Sequence, residues 1–238
     1  MPRFFVGAEQ ISDKDIVITG TDVNHIRNVL RMTPGEEVTV SDGQGMDYFC
    51  RIAELTKEEV RLDIVDSWHS FVELPTKIYL FQGLPKADKM ELIIQKAVEL
   101  GVYEIVPVAT KRAVVKLDPK KEEKKRVRWQ SIAESAAKQA GRALIPQIAT
   151  CISFEKALRM CNGLDAALIP YEKAEGMQHA RDQVRALHGK HSIGIFIGPE
   201  GGFEESEIEA ARCYTDYPWT QNSADRNGRT DNALHFDV

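Results

Sequence analysis

The sequence predicts an α/β protein in two parts: a small β-barrel over residues 1–72, then a mostly parallel α/β domain over residues 73–238. Closely spaced runs of β-branched and aromatic residues before residue 70 predict the barrel. Apolar strands that alternate with amphipathic helices after residue 76 predict the parallel sheet. Between them the pattern breaks at Glu73-Leu74-Pro75, which sets the boundary at 70–76.

The barrel strands read as Val17-Ile18, Glu37–Val40, Tyr48–Ile52 and Val60–Val65, with partial alternation. Turn residues separate them at Thr33-Pro34-Gly35-Glu36 and Ser41-Asp42-Gly43-Gln44-Gly45. One helix is expected from Asp22 to Met32. In the second part, Lys77–Phe81 is an apolar strand and Gly83-Leu84-Pro85-Lys86 a turn. Lys89–Leu100 carries Met90, Ile93, Ile94, Ala97 and Val98 near helical spacing, with Gly101 as C-cap. Glu104–Val108, Ala166–Pro170 and Ile193–Ile197 read as strands; Pro119–Ala140, Glu175–His188 and Glu204–Arg212 read as helices.

Composition narrows the class. Hydrophobic residues make up 43% and charged residues 28% of the 238, as in a soluble globular protein, which excludes wholesale disorder. No apolar run approaches a membrane span, and Met1–Phe5 lacks the apolar core of a signal peptide. Cys50, Cys151, Cys161 and Cys213 form no CxxC pair and read as reduced thiols. A cytoplasmic protein is expected. The net charge of −5 does not announce a nucleic-acid binder, so any RNA contact must come from local basic groups. On the barrel these are Arg3, His25, Arg27 and Arg31, with Phe5 beside them.

The sharpest constellation is Ile197-Gly198-Pro199-Glu200-Gly201-Gly202, where an apolar strand ends in a glycine-rich turn that opens a helix. Ligands of open α/β sheets bind outside the carboxyl ends of strands, where glycine lets the backbone approach them closely. It is neither a Walker loop nor a GxGxxG fingerprint. A second turn, Gly83-Leu84-Pro85-Lys86, also follows a strand, and Lys86 is a phosphate candidate. Thr110 and Arg112 follow a third. Arg142, just past a helix end, is suited to clamp a phosphate or carboxylate. The run Lys120–Arg126 reads as a solvated face and only weakly as an RNA surface. The six histidines have no metal-ligand spacing, and no Ser/His/Asp set assembles.

These motifs, with His25–Met32, Ile94–Gly101, Lys116-Leu117-Asp118, and Trp129 with Glu134, Gln139–Arg142 and Pro146, resemble the RsmE family from residue 3 to about 212. Those are bacterial SPOUT methyltransferases that methylate N3 of a uridine in 16S ribosomal RNA. The resemblance implies a PUA-like RNA-binding barrel and a SPOUT domain with a trefoil knot. It also implies S-adenosylmethionine as cofactor, 16S rRNA or the small ribosomal subunit as partner, and a homodimer. No metal or membrane is implied. Cofactor contacts would fall on Gly83, Leu84, Pro85, Thr110, Ile197, Gly198, Pro199, Glu200, Gly201 and Gly202. RNA contacts would fall on Arg3, His25, Arg27, Arg31, Lys86 and Arg112, with Arg142 orienting the substrate; no general base is identified.

The family pattern fails at the end of the chain. RsmE-like chains close with LGxRILRTETA, and this chain instead runs Cys213-Tyr214-Thr215-Asp216-Tyr217-Pro218-Trp219-Thr220-Gln221 into a polar tail. Back-translated and read from the second base of each codon, Thr215 to Asp231 permit P-I-T-L-G-x-R-I-L-R-T-E-T-A-G-L. Trp219-Thr220 leaves no choice: TGG before ACN yields GGA, glycine. Residues 213–238 therefore read as the family motif out of frame, too polar to bury what the knot segment would, and are expected to be irregular. The rival readings are an RNA-binding protein that has lost its cofactor pocket and, more distantly, a nucleotide-binding α/β protein of another reaction class.

Overall fold

The computed structural model describes residues 1–113, 119–170 and 177–214. The expectations for Lys116–Asp118 and for the tail beyond Tyr214 lie outside these residues, as does that for the Cys213 side chain.

The first part is a curled five-stranded sheet. Its strands are β1 (Arg3–Phe5), β2 (Asp15–Thr19), β3 (Glu37–Ser41), β4 (Met46–Leu55) and β5 (Glu59–His69), in the order β1-β3-β4-β5-β2. β1 joins β3 in parallel, and the other pairs are antiparallel. Alternate residues of each strand face inward, so Ile16, Ile18, Val38, Val40, Cys50, Ile52, Val60 and Leu62 are buried together. Register shifts at Phe49/Cys50 and Ile52/Glu54 bend β4, and this bending closes the sheet around its core. β1 was not legible in the sequence, being three residues long with one buried side chain. The helix expected over Asp22–Met32 is shorter and mixed. An α-turn α1 (Thr21–Asn24) widens into a π-turn at His25–Val29, and Arg31 at φ 55° lies just beyond it.

The second part is a parallel sheet with helices on both faces. Along the chain come β6 (Lys77–Gly83), α2 (Lys89–Glu99), β7 (Glu104–Ala109), α3 (Pro119–Gln139), β8 (Gln147–Ile148), β9 (Ile152–Ser153), α4 (Phe154–Cys161), β10 (Ala166–Leu168), α5 (Met177–Ala186), β11 (Ser192–Ile197) and α6 (Glu205–Tyr214). The strand order is β10-β11-β6-β7-β8, with β9 also paired to β7, and every pair is parallel. On one face Met90, Ile94 and Val98 of α2 pack with Ile105 and with Trp129 and Ala133 of α3. On the other, Phe154 and Leu158 of α4 and Ile208 of α6 pack on Phe81, Val106 and Phe196. Phe81 and Phe196 stack at 4.6 Å between centroids across the β6–β11 pair.

Helix α4 is missing from the sequence reading, although its signal is present. Phe154, Ala157, Leu158 and Cys161 are buried at spacings of three and four, and the Ser153 side chain accepts from the Lys156 N–H at the N-terminus. Ser153→Ala is expected to lower stability by about 1 kcal/mol. Denaturant midpoints of the two proteins check this.

The two parts are riveted at residues 141–145. Ile145 N donates to Gly43 O, Ser41 Oγ donates to Ala143 O at 3.0 Å, and Arg3 Nη1 donates to Gly141 O and Arg142 O. Arg3 also pairs with Asp47 at 3.0 Å, and Lys138 with Asp22 at 3.1 Å.

Candidate functional site

β11, β6 and β7 are adjacent and parallel, so their carboxyl ends lie side by side. The turn 198–204, the loop 84–88 and the loop 110–113 therefore emerge along one edge. Of the ten cofactor candidates, Ile197 ends β11 and Gly198–Gly202 lie in the first of these; Gly83 ends β6 and Leu84 and Pro85 lie in the second; Thr110 opens the third.

Close backbone approach holds the first two loops. A Cβ on Gly83 would lie 2.7 Å from Pro199 Cδ and 2.9 Å from Pro199 N. A Cβ on Gly198 would lie 3.0 Å from the Gly202 carbonyl carbon. Only glycine fits either position without moving backbone. Gly201 differs: its added Cβ would meet nothing nearer than Arg112 Cδ at 3.7 Å. Within the protein's own packing, glycine is therefore required at Gly83 and Gly198 and not at Gly201.

Polar contacts complete the edge. Glu200 accepts from the Lys86 N–H through both carboxylate oxygens at 3.2 Å and pairs with Lys89 at 3.0 Å. Its own N–H, the Lys89 ammonium and the Lys86 N–H hold its carboxyl down to about 2. Arg112 donates to Gly201 O at 2.7 Å. Two buried residues given no role by the sequence reading brace these loops. Gln82 Nε2 donates to Gly83 O at 2.9 Å and to Ile197 O at 3.4 Å, tying the ends of β6 and β11. Glu207, 4% exposed, accepts from the Lys111 N–H and the Glu204 N–H at 2.9 Å. Their signal was weak, since a glutamine in a strand and a glutamate in a helix usually face water.

Two further features stand out along this edge. Thr110 Oγ1 is buried with no hydrogen-bond partner among the described residues. Ile197, at the end of β11, leaves 38% of its surface exposed beside the glycine turn. Three cysteines are poor nucleophiles, because burial pushes the Cys50 and Cys161 thiols up to about 12 and Cys151 to about 11.

The basic candidates divide. His25, Arg27 and Arg31 share the segment after β2, where His25 is exposed with its ring edge-on to Phe4. Lys86 is exposed beside the glycine turn. Arg3 and Arg112 are spent on the internal bonds above. Arg142 is corrected most sharply. It is 6% exposed; its guanidinium pairs with Glu73 and donates to Val102 O at 2.6 Å and Val98 O at 3.2 Å. The unpaired clamp expected from its place past α3 is a buried tie, because the chain turns inward there to meet the linker carboxylate of Glu73.

Residues 72–216 match the RNA methyltransferase domain family, and residues 18–65 the RNA methyltransferase PUA domain. The chain is 37% identical over 215 residues to ribosomal RNA small subunit methyltransferase E of Bacillus subtilis, covering 88% of this chain and 84% of that one. It superposes on the crystal structure of the Neisseria gonorrhoeae enzyme of the same name, bound to S-adenosylmethionine, with TM-score 0.75 and 31% identity, over 90% of this chain and 86% of that one. A putative methyltransferase from Legionella pneumophila, in complex with the same cofactor, gives TM-score 0.73 and 28% identity, over 91% and 87%.

Proposed function

The chain belongs to the ribosomal RNA small subunit methyltransferase E family, the RsmE family of the sequence resemblance, and from that premise we propose that its fold serves transfer of a methyl group from S-adenosylmethionine to N3 of a uridine in 16S ribosomal RNA. The observation that carries this reading is the edge of three loops. Gly83 and Gly198 permit a backbone cradle, and Thr110 Oγ1 is a buried polar atom without a partner among the described residues. S-adenosylmethionine supplies an electrophilic methyl on a sulfonium. Backbone groups of Gly83–Pro85 and Ile197–Gly202, with Thr110, fit it as a holding set. Uracil N3–H is a weak acid and must lose its proton as the methyl arrives. Glu200, with its carboxyl near 2, is too weak a base for that step, and its part is to fix the loops.

RNA contacts are assigned to His25, Arg27, Arg31 and Lys86. Arg3 and Arg112 position the surfaces that carry them, and Arg142 orients the substrate only through the domain junction. The proposal extends to a homodimer in the cytoplasm and to a trefoil knot closed by the tail read in frame. The domain-family match ends at residue 216, next to the point where the out-of-frame reading begins, which supports that account of the tail. None of the helices among the described residues is long and apolar enough to cross a membrane.

Two results are expected of the frame-restored chain. Glu200→Ala frees the loop at Lys86 and Lys89, so the KM for S-adenosylmethionine rises several-fold while the melting temperature holds. The carboxyl is depressed from 4.5 to about 2, so its clamp is present above pH 4.5 and is lost only as the pH falls toward 2. Cofactor affinity titrated from pH 8 to pH 5 should therefore show no step from Glu200. An apparent pKa near neutrality that vanishes in Glu200→Ala would contradict this assignment.

A further inference from the structure

A cavity of about 340 Å³ opens at the domain junction, walled by Gln44, Tyr103, Glu104, Ile145 and Gln147. Glu104 begins β7, so the cavity lies at the opposite end of that strand from Thr110, about 20 Å along it. It is distinct from the cofactor edge. Among the described residues no hydrogen bond or ion pair engages the side-chain heads of Gln44, Glu104 or Gln147. Burial raises the Glu104 carboxyl above its usual range, as for a carboxylate short of donors. Tyr103 supplies an aromatic wall, and the Lys77 ammonium sits 4.7 Å over its ring.

We propose that this cavity binds a guanine base extruded from the substrate RNA, with the Glu104 carboxylate accepting from its N1–H and 2-amino groups. The inference rests on the RNA-methylation reading for the source of the base, but its chemistry stands alone. A carboxylate is an acceptor with two oxygens, and guanine alone among the four bases presents two adjacent N–H donors on different atoms to match them. The amides of Gln44 and Gln147 can donate to O6 and N7. Tyr103 and Ile145 cover the ring. Single-stranded and bulged RNA is recognised in this way, by aromatic contact and hydrogen bonds to an exposed base edge.

Calorimetry of the full chain with guanosine monophosphate tests it, with inosine monophosphate, which lacks the 2-amino group, as comparison. Saturable binding is expected for the first, with inosine weaker by about tenfold and Glu104→Gln weaker by a similar factor. Guanosine monophosphate should also displace a 16S RNA fragment. Equal affinity for the two nucleotides, or no saturation, overturns the proposal; saturation without displacement overturns the RNA source and leaves a free-nucleotide site. Should Glu104→Gln misfold, photocrosslinking of 6-thioguanosine monophosphate to the unaltered chain decides: labelled peptides must contain Tyr103 or Gln147, and labels elsewhere refute the site. Methyl transfer is assayed separately. A chain that methylates but ignores the nucleotide loses only the cavity, and the reverse result loses only the methylation reading.

Discussion

Gly83→Val in the frame-restored chain is expected to reduce methylation by about 100-fold, because displacing a positioned loop by about 1 Å is enough to cost that factor. The new Cβ would sit 2.7 Å from Pro199 Cδ and 2.9 Å from Pro199 N, and neither belongs to a flexible side chain. Loops 84–88 and 198–204 must part. The overpacking also costs about 1–3 kcal/mol of stability, so cofactor affinity is to be measured well below the melting transition. Gly201→Ala is the matched control, with an expected change of less than about twofold, since its Cβ finds ordinary contact with Arg112 at 3.7 Å. A Gly201→Ala protein as impaired as Gly83→Val would show that the turn is held by conformation at Gly201, not by the contact at Gly83.

Arg142→Ala is expected to destabilise the whole protein. The side chain is 7% exposed and that of Glu73 20%, and Glu73 Oε1 also accepts from Ala143 N at 2.8 Å and Leu144 N at 3.0 Å. Removing one partner of a buried pair leaves the other charge uncompensated and costs about 3–5 kcal/mol. For a chain of this size that lowers the melting midpoint by roughly 10 °C. Because residues 141–145 also carry the bonds to Gly43, Ser41 and Arg3, the barrel should loosen from the second domain, and proteolysis near residues 70–76 should quicken. An Arg142→Ala protein as stable as the parent but unable to methylate RNA would restore the direct substrate role that its position in the sequence suggested.

The contrast between these residues shows what the sequence could carry. Strands ending in Gly83 and Ile197 followed by glycine- and proline-containing turns are local signals, and the adjacency of β6 and β11 brings those turns to one edge of the sheet. The parallel order was legible in the alternation of apolar strands with helices such as Lys89–Glu99. What was not legible is long-range. Arg142 meets Glu73 across 69 residues, Lys111 meets Glu207 across 96, and Arg3 meets Gly141 across 138. An arginine past a helix end looks the same in sequence whether it faces phosphate or a buried carboxylate. Strands β8 and β9, two residues each, are made by pairing with β7 and have no periodicity to read.

The central claim is best tested by nucleoside mass spectrometry of 16S RNA from small ribosomal subunits incubated with S-adenosylmethionine and either the frame-restored chain or the chain as given. The account requires 3-methyluridine from the restored chain, and far less from the unrestored one, whose sequence lacks the LGxRILRTETA motif. Methyl groups found only on a ribose or on another base atom, or no transfer by either protein, would contradict the proposed reaction. Equal yields of 3-methyluridine from the two chains would contradict the account of the tail.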